Sequence, residues 1–241
     1  MKNDFIITFA GQAGFILQLP SGYRIGIDLY LSDCCQRYFG FKRLMPFLYN
    51  PLDLNLDLLI ATHAHYDHFD PDSVPLIMSN FKTKLIAASD VKEEVKKLNL
   101  DSSRVTYVKT GDVFENEYVK IKAMPCDHGK ETPYAIGLLI EAEGRKIYVA
   151  GDTAYREDYF TNSELNNLDV MIMPINGAFG NMNEIEGAKA VDIIKPKLAI
   201  PCHFWNFAEH GGEPDKFVKE MKNTYQSENF ILMRLGETIR I

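Results

Sequence analysis

Leu56-Asp57-Leu58-Leu59-Ile60-Ala61-Thr62-His63-Ala64-His65-Tyr66-Asp67-His68 is the stretch from which the fold is read. Its first half is a nearly continuous apolar run from Leu56 to Ala61, of the length and kind expected of a central strand. Its second half packs three of the chain's six histidines beside an aspartate, directly at the strand end. In an extended segment, side chains two apart point to one side, so His63 and His65 are expected to approach one metal ion together. That differs from the four-apart pair of a helical zinc motif. Asp67 and His68 are adjacent and suit a second ion beside the first. A solvated histidine-rich turn is the plainer alternative. It fits poorly at the end of a buried strand, because imidazoles packed this closely repel when protonated and a bound cation removes that cost.

Further along, the same arrangement recurs. Cys126-Asp127-His128-Gly129 follows the strand-like Val119 to Met124, Gly151-Asp152-Thr153 follows Lys146 to Ala150, and Pro201-Cys202-His203 follows Leu198 to Ile200. Each sets a metal-competent side chain just past a strand end. Other strands are expected at Phe5 to Phe9, Phe15 to Leu19, Arg24 to Leu29, Leu85 to Ala88, Val105 to Val108, Ala135 to Ala142, Val170 to Ile175, Phe230 to Leu235 and Thr238 to Ile241. Glu143-Gly144-Arg145 reads as a hairpin turn. Helices are expected at Pro71 to Ser79, at Asp90 to Leu98 with Ser89 or Asp90 as cap, from a capping box at Asn183 and Glu186 to about Ile194, and from Pro214 to about Tyr225. Meandering strands with helices at intervals predict two packed sheets with helices outside, as one domain over residues 1–241.

Composition narrows the function. The chain has 241 residues, 46% of them hydrophobic, and a formal charge of −7 from 26 Lys+Arg against 33 Asp+Glu, which argues against a disordered chain and against general affinity for phosphate backbones. No apolar run approaches the roughly 18 residues of a membrane helix. The apolar stretch from Phe5 to Leu19 is interrupted by Thr8, Gln12 and Gln18, with no strongly basic start and no evident cleavage site. The four cysteines form no disulfide framework and no C-x-x-C pair. A cytoplasmic protein is expected, with neither nucleic acid nor membrane as partner.

At these histidines and aspartates the sequence resembles the metallo-β-lactamase superfamily, because the early strand hairpin, H-x-H-x-D-H and the later His, Asp and His occur in order across nearly the whole chain. The resemblance implies an αββα sandwich of two mixed β-sheets, an α/β (α+β) fold. It also implies His63, His65 and His128 on one metal, Asp67, His68 and His203 on a second, and Asp152 bridging them. A carboxylate bridge would hold the ions about 3.5–4 Å apart, and a hydroxide between them is the natural nucleophile of a hydrolase. Asp67 is the candidate catalytic residue, orienting that hydroxide and handing a proton to the leaving group. The cofactors implied are two divalent ions, Zn2+ or Mn2+, with Fe also compatible with His and Asp donors.

Leu44-Met45-Pro46-Phe47, Gly111-Asp112-Val113, Gly151-Asp152-Thr153-Ala154-Tyr155 and Pro201-Cys202-His203-Phe204-Trp205-Asn206-Phe207 are similar to the L-ascorbate-6-phosphate lactonase-like branch. That resemblance implies a small ester or lactone as substrate, including a sugar-phosphate lactone, and a homo-oligomer. The loop Asn176 to Asn183, with Asn176, Gly177 and Asn181, is the candidate substrate loop, because helix N-termini offer free N–H groups to anions; a Gly-rich turn capped by Asn183 is the alternative. Trp205 is a candidate pocket wall or core residue. His210, before Gly211-Gly212, is a candidate substrate contact or a solvated histidine. A phosphodiesterase acting on a nucleotide or lipid head group is the second functional reading, and a metal-holding scaffold without turnover is the third.

Overall fold

In the computed structural model, which describes residues 4–241, two mixed β-sheets carry the chain. The first contains β1 (Ile6–Gly11), β2 (Gly14–Gln18), β3 (Arg24–Ile27), β4 (Leu58–Ala61), β5 (Lys84–Ala88) and β6 (Val105–Val108). The second contains β7 (Val113–Glu115), β8 (Lys120–Met124), β9 (Gly137–Ala142), β10 (Arg145–Val149), β11 (Val170–Pro174) and β12 (Leu198–Cys202). The last strand, β13 (Thr238–Arg240), returns to the first sheet and pairs antiparallel with β1. The orders are β13-β1-β2-β3-β4-β5-β6 and β12-β11-β10-β9-β8-β7.

Each sheet changes character along its width. Its early strands are antiparallel hairpins, whereas β3 to β6 and β10 to β12 run parallel. Parallel strands lie in sheet interiors, and β4 (Leu-Leu-Ile-Ala) and β11 (Val-Met-Ile-Met-Pro) are buried at every position, as their unbroken apolar runs demand. Between the sheets, Ile7, Phe15, Ile25, Ile60 and Leu85 share one core with Ile121, Ile140, Ile147 and Ile172. The turn joining β9 to β10 has Glu143 at φ 47° and Gly144 at φ 80°, the two left-handed residues of the hairpin turn that suits strand twist.

The helices are α1 (Cys34–Phe39), α2 (Ser73–Met78), α3 (Lys92–Lys97), α4 (Glu157–Phe160), α5 (Glu184–Ile194) and α6 (Pro214–Asn223). α5 and α6 pack Ala188, Val191, Phe217 and Met221 into a second apolar cluster with Leu139, Tyr148 and Met171 of the second sheet. The capping box of α5 is formed: Asn183 Oδ1 accepts from Ile185 N and Glu186 N, and Glu186 accepts from Asn183 N.

Two expectations about elements are corrected. Phe230 to Leu235 is not a strand. Phe230 makes only an isolated bridge to Ala199 of β12, because this segment crosses from the edge of one sheet to reach β1 in the other. α3 has no side-chain cap, since Ser89 donates instead to Val108 O and a 3₁₀ turn over Ser89–Val91 leads into the helix. Among the described residues, no helix is long and apolar enough to cross a membrane.

Candidate metal centre

The histidine run does not continue β4 as an extended segment. It bends at once, and the N–H groups of His68 and Phe69 both donate to His65 O, at 2.9 and 2.7 Å. His63 and His65 therefore meet through a bend and not through strand alternation, but they do meet: His63 Nε2 lies 3.0 Å from His65 Nδ1. Residues arriving from three other strand ends complete the site. His128 follows β8, Asp152 follows β10 and His203 follows β12.

The donors fall into two groups that share Asp152. In the first, His65 Nδ1 is 3.0 Å from His63 Nε2 and 3.1 Å from His128 Nε2, and Asp152 Oδ2 is 3.8 Å from His128 Nε2. In the second, His68 Nε2 and His203 Nε2 are 3.3 Å apart, and Asp152 approaches them at 3.3 and 3.0 Å. Asp67 Oδ2 closes that group at 3.3 Å from His203 Nε2 and 3.7 Å from His68 Nε2. Ligands bonded at about 2.0–2.2 Å to a tetrahedral ion lie about 3.3–3.6 Å from one another, so both groups have the scale of a metal site. Imidazole nitrogens aimed at each other, those of His63, His68, His128 and His203 on buried residues, with carboxylates between them are what a cation would hold together. The chain thus brings all seven expected ligand residues into one place.

A second layer of residues, most of it without any spacing signal in the sequence, holds these side chains. Asp28, buried past β3, accepts from Thr62 N and Thr62 Oγ1 and lies 2.9 Å from His68 Nδ1, which turns His68 Nε2 inward. Asn181 Nδ2 donates to Asp152 Oδ2 at 2.9 Å and to Asn176 Oδ1 at 3.1 Å. Gln12 Nε2 donates to Asp67 Oδ2 at 2.8 Å, while Gln12 O accepts from His203 N at 2.9 Å. Gln12, Asp28 and His203 have φ of 54°, 46° and 62°, a left-handed backbone costing about 1–3 kcal/mol at each non-glycine residue. At Gly151, φ is 67° and an added Cβ would sit 2.7 Å from Ile136 O, so only glycine can aim Asp152 here.

Electrostatics divide the histidines. Without a cation, burial and then His68 hold His63 well below the usual imidazole range, and burial pushes His128 down to about 4. Burial also works against charge at His68 and His203, but Asp152 and its neighbouring carboxylate Asp67 overcome it. His68 rises well above its ordinary value and His203 to about 9. Burial would raise Asp67 and Asp152, yet the same two imidazoles hold both carboxyls well below their usual range. The shared carboxylate and Asp67 are thus ionised acceptors.

Five of these residues, His65, Asp67, His128, Asp152 and His203, line a cavity of about 490 Å³. The predicted substrate contacts reach it unevenly. His210 lines it and is only 5% exposed, stacked on His203 with ring centres 5.4 Å apart and packed on Phe41, Phe179 and Phe207, so it is not a solvated histidine. Trp205 is 57% exposed and neither lines the cavity nor enters the core, because a left-handed backbone at φ 59° turns it outward against Phe204. Asn176 and Gly177 lie behind the wall, Asn176 supporting Asn181 and Gly177 N donating to Met182 O. The loop instead contributes Phe179 and Gly180 to the cavity, and Asn181 serves Asp152. The free N–H groups expected at the start of α5 are taken by Asn183.

The sequence matches known proteins along most of its length. A family model described as a β-lactamase superfamily domain matches residues 6–203. A metal-dependent hydrolase of the UPF0173 group from Sulfolobus acidocaldarius is 32% identical over 221 residues, covering 90% of this chain and 92% of its own. The chain belongs to the metallo-β-lactamase superfamily, within its UPF0173 group. Another UPF0173 metal-dependent hydrolase, from Sulfurisphaera tokodaii, is 30% identical over 98% of this chain and 99% of its own. In three dimensions Igni18, a metallo hydrolase of Ignicoccus hospitalis, superimposes with a TM-score of 0.76 at 21% identity over 98% of each chain, and the metallo-β-lactamase fold protein YhfI of Bacillus subtilis with a TM-score of 0.74 at 19% identity over 99% of each chain.

Proposed function

We propose that this metal-dependent hydrolase cleaves a small ester or lactone at a centre of two divalent cations. His63, His65 and His128 would hold one, Asp67, His68 and His203 the other, with Asp152 shared. The observation that carries the proposal is the pair of donor groups meeting on Asp152 at the floor of an open cavity. Bound Zn2+ or Mn2+ (Fe is also compatible with these donors) would supply a hydrolytic water at neutral pH and polarise the bond to be cut.

The chain's own residues do the rest. Asp67 lines the cavity with its Oδ2 held by Gln12, so it presents a fixed, ionised acceptor to the attacking water. Asp67 would accept a proton from that water and hand it to the leaving oxygen. Asn181 and Asp28 hold Asp152 and His68 in position, so the donors need not reorganise during the reaction.

Hydrolysis of γ-butyrolactone, phenyl acetate and bis(p-nitrophenyl) phosphate by metal-loaded protein tests this, with Asp67→Asn alongside. Turnover of lactone or ester, lost in Asp67→Asn while most of the metal stays bound, supports the proposal. Turnover of the phosphodiester alone makes the protein a phosphodiesterase, and undiminished turnover in Asp67→Asn removes Asp67 from the mechanism.

A further inference from the structure

The wall facing the metal donors is a continuous aromatic surface. Phe39 lies 5.6 Å from Tyr66 and 6.0 Å from Phe41, ring centre to ring centre, and Phe41 lies 5.6 Å from Phe179. His210 joins this surface at 4.9 Å from Phe41 and 4.8 Å from Phe179 and carries it to the edge of His203. Phe39 and Phe179 are each more than half exposed, so these rings are not simply core. They border a space that reaches the cation-holding residues.

Lysine and arginine are scarce on the same lining. Among the described residues around the cavity, Lys130 is the one Lys or Arg, and Glu131 stands next to it. No guanidinium is present to grip a phosphate with paired hydrogen bonds. The start of α5, which follows the loop carrying Phe179 and Gly180, is closed by its own capping box and carries Glu184 and Glu186. A phosphate set against this wall, away from the cation-holding residues, would exchange its hydration for aromatic rings with Lys130 alone in return.

Resting on the hydrolase assignment above, we propose that the substrate is an unphosphorylated ester or lactone bearing an aromatic ring or alkyl chain, and that Phe39, Phe41, Tyr66 and Phe179 bind that apolar group while the ester lies over Asp152. Water attacks the acyl carbon and the acyl C–O bond breaks. The products are a carboxylic acid and an alcohol, joined in one hydroxy acid when the substrate is a lactone.

The experiment pairs turnover with binding. Metal-loaded protein is given γ-nonalactone and 6-phospho-D-glucono-δ-lactone, and the affinities of their products, 4-hydroxynonanoate and 6-phosphogluconate, are measured by calorimetry. Phe179→Ala is compared with Phe81→Ala, a control at an exposed ring outside the cavity. The expected result is at least tenfold higher kcat/KM for γ-nonalactone. Phe179→Ala should raise its KM and weaken 4-hydroxynonanoate about tenfold, the scale of losing one ring's apolar contact, and Phe81→Ala should change neither. Preference for the phosphorylated pair, or equal behaviour of the two variants, overturns the inference and leaves the hydrolase assignment standing. Binding of 4-hydroxynonanoate that depends on Phe179, without turnover of either lactone, supports the apolar site and overturns lactone hydrolysis instead.

Discussion

Asp28 Oδ2 lies 2.9 Å from His68 Nδ1, both side chains fully enclosed, while the opposite nitrogen of His68 faces Asp152 and His203. The carboxylate fixes the imidazole's tautomer and direction, which raises its basicity as a ligand. Asp28→Asn should weaken metal binding about 10–100-fold. Competition against a chromophoric chelator measures this, and unchanged affinity would mean that packing alone holds His68.

Asn181 holds the shared carboxylate as Asp28 holds His68. In Asn181→Ala the amide that donates to Asp152 Oδ2 is lost, and kcat should fall about tenfold with the fold intact, as for other outer-shell partners. Asn181→Asp should be worse, because it sets a like charge beside Asp152. Steady-state kinetics and metal content of the two variants check the order.

The metal-free protein should be most stable near pH 6.5, the ordinary imidazole value above which His68 and His203 lie and below which His63 and His128 lie. His68 and His203 are raised on folding, so the stability they contribute is complete below about 6.5 and is lost as pH rises through about 9 for His203. His63 and His128 are lowered, so protonating them costs stability as pH falls from about 6.5 towards 4. Metal binding must displace the protons of His68 and His203, so affinity should climb with pH across the same upper window. Thermal melts of chelator-treated protein from pH 4 to 9 test the first statement, and a melting temperature still rising above pH 8 would contradict it.

Asn183→Ala removes the acceptor of two N–H groups at the start of α5 and should cost about 1 kcal/mol, or about 2–4 °C in Tm. Because the loop before this helix carries Phe179 and Asn181, the variant should also lose activity beyond what its stability explains. Differential scanning calorimetry and kinetics on one preparation separate the two effects.

The gathering of the seven candidate ligand residues was legible in the sequence because each follows an apolar strand end, and strand ends of two stacked sheets meet along one edge. The paired sheets and the Asn183 capping box were legible for similar local reasons: apolar runs, hairpin turns and a cap three residues from its glutamate. Gln12 and Asp28 were not. A lone glutamine in a Gly-containing turn and a lone aspartate after a strand carry no spacing signal, and only tertiary contact brings them to Asp67 and His68. For His210 the two following glycines left a solvated histidine open as the alternative to a substrate contact, whereas a turn with His210 N donating to Phe207 O tucks the ring against Phe207 in the cavity lining. The aromatic wall is assembled from α1, the histidine run and the loop before α5, so no single stretch announced it.

Metal stoichiometry bears most directly on the claim of two cations sharing Asp152. Elemental analysis of protein saturated with Zn2+ or Mn2+ and freed of excess should give two ions per chain, falling to one in His203→Ala with the His63, His65 and His128 group still loaded. A chain that saturates at one ion, or a His203→Ala variant that still binds two, would contradict it.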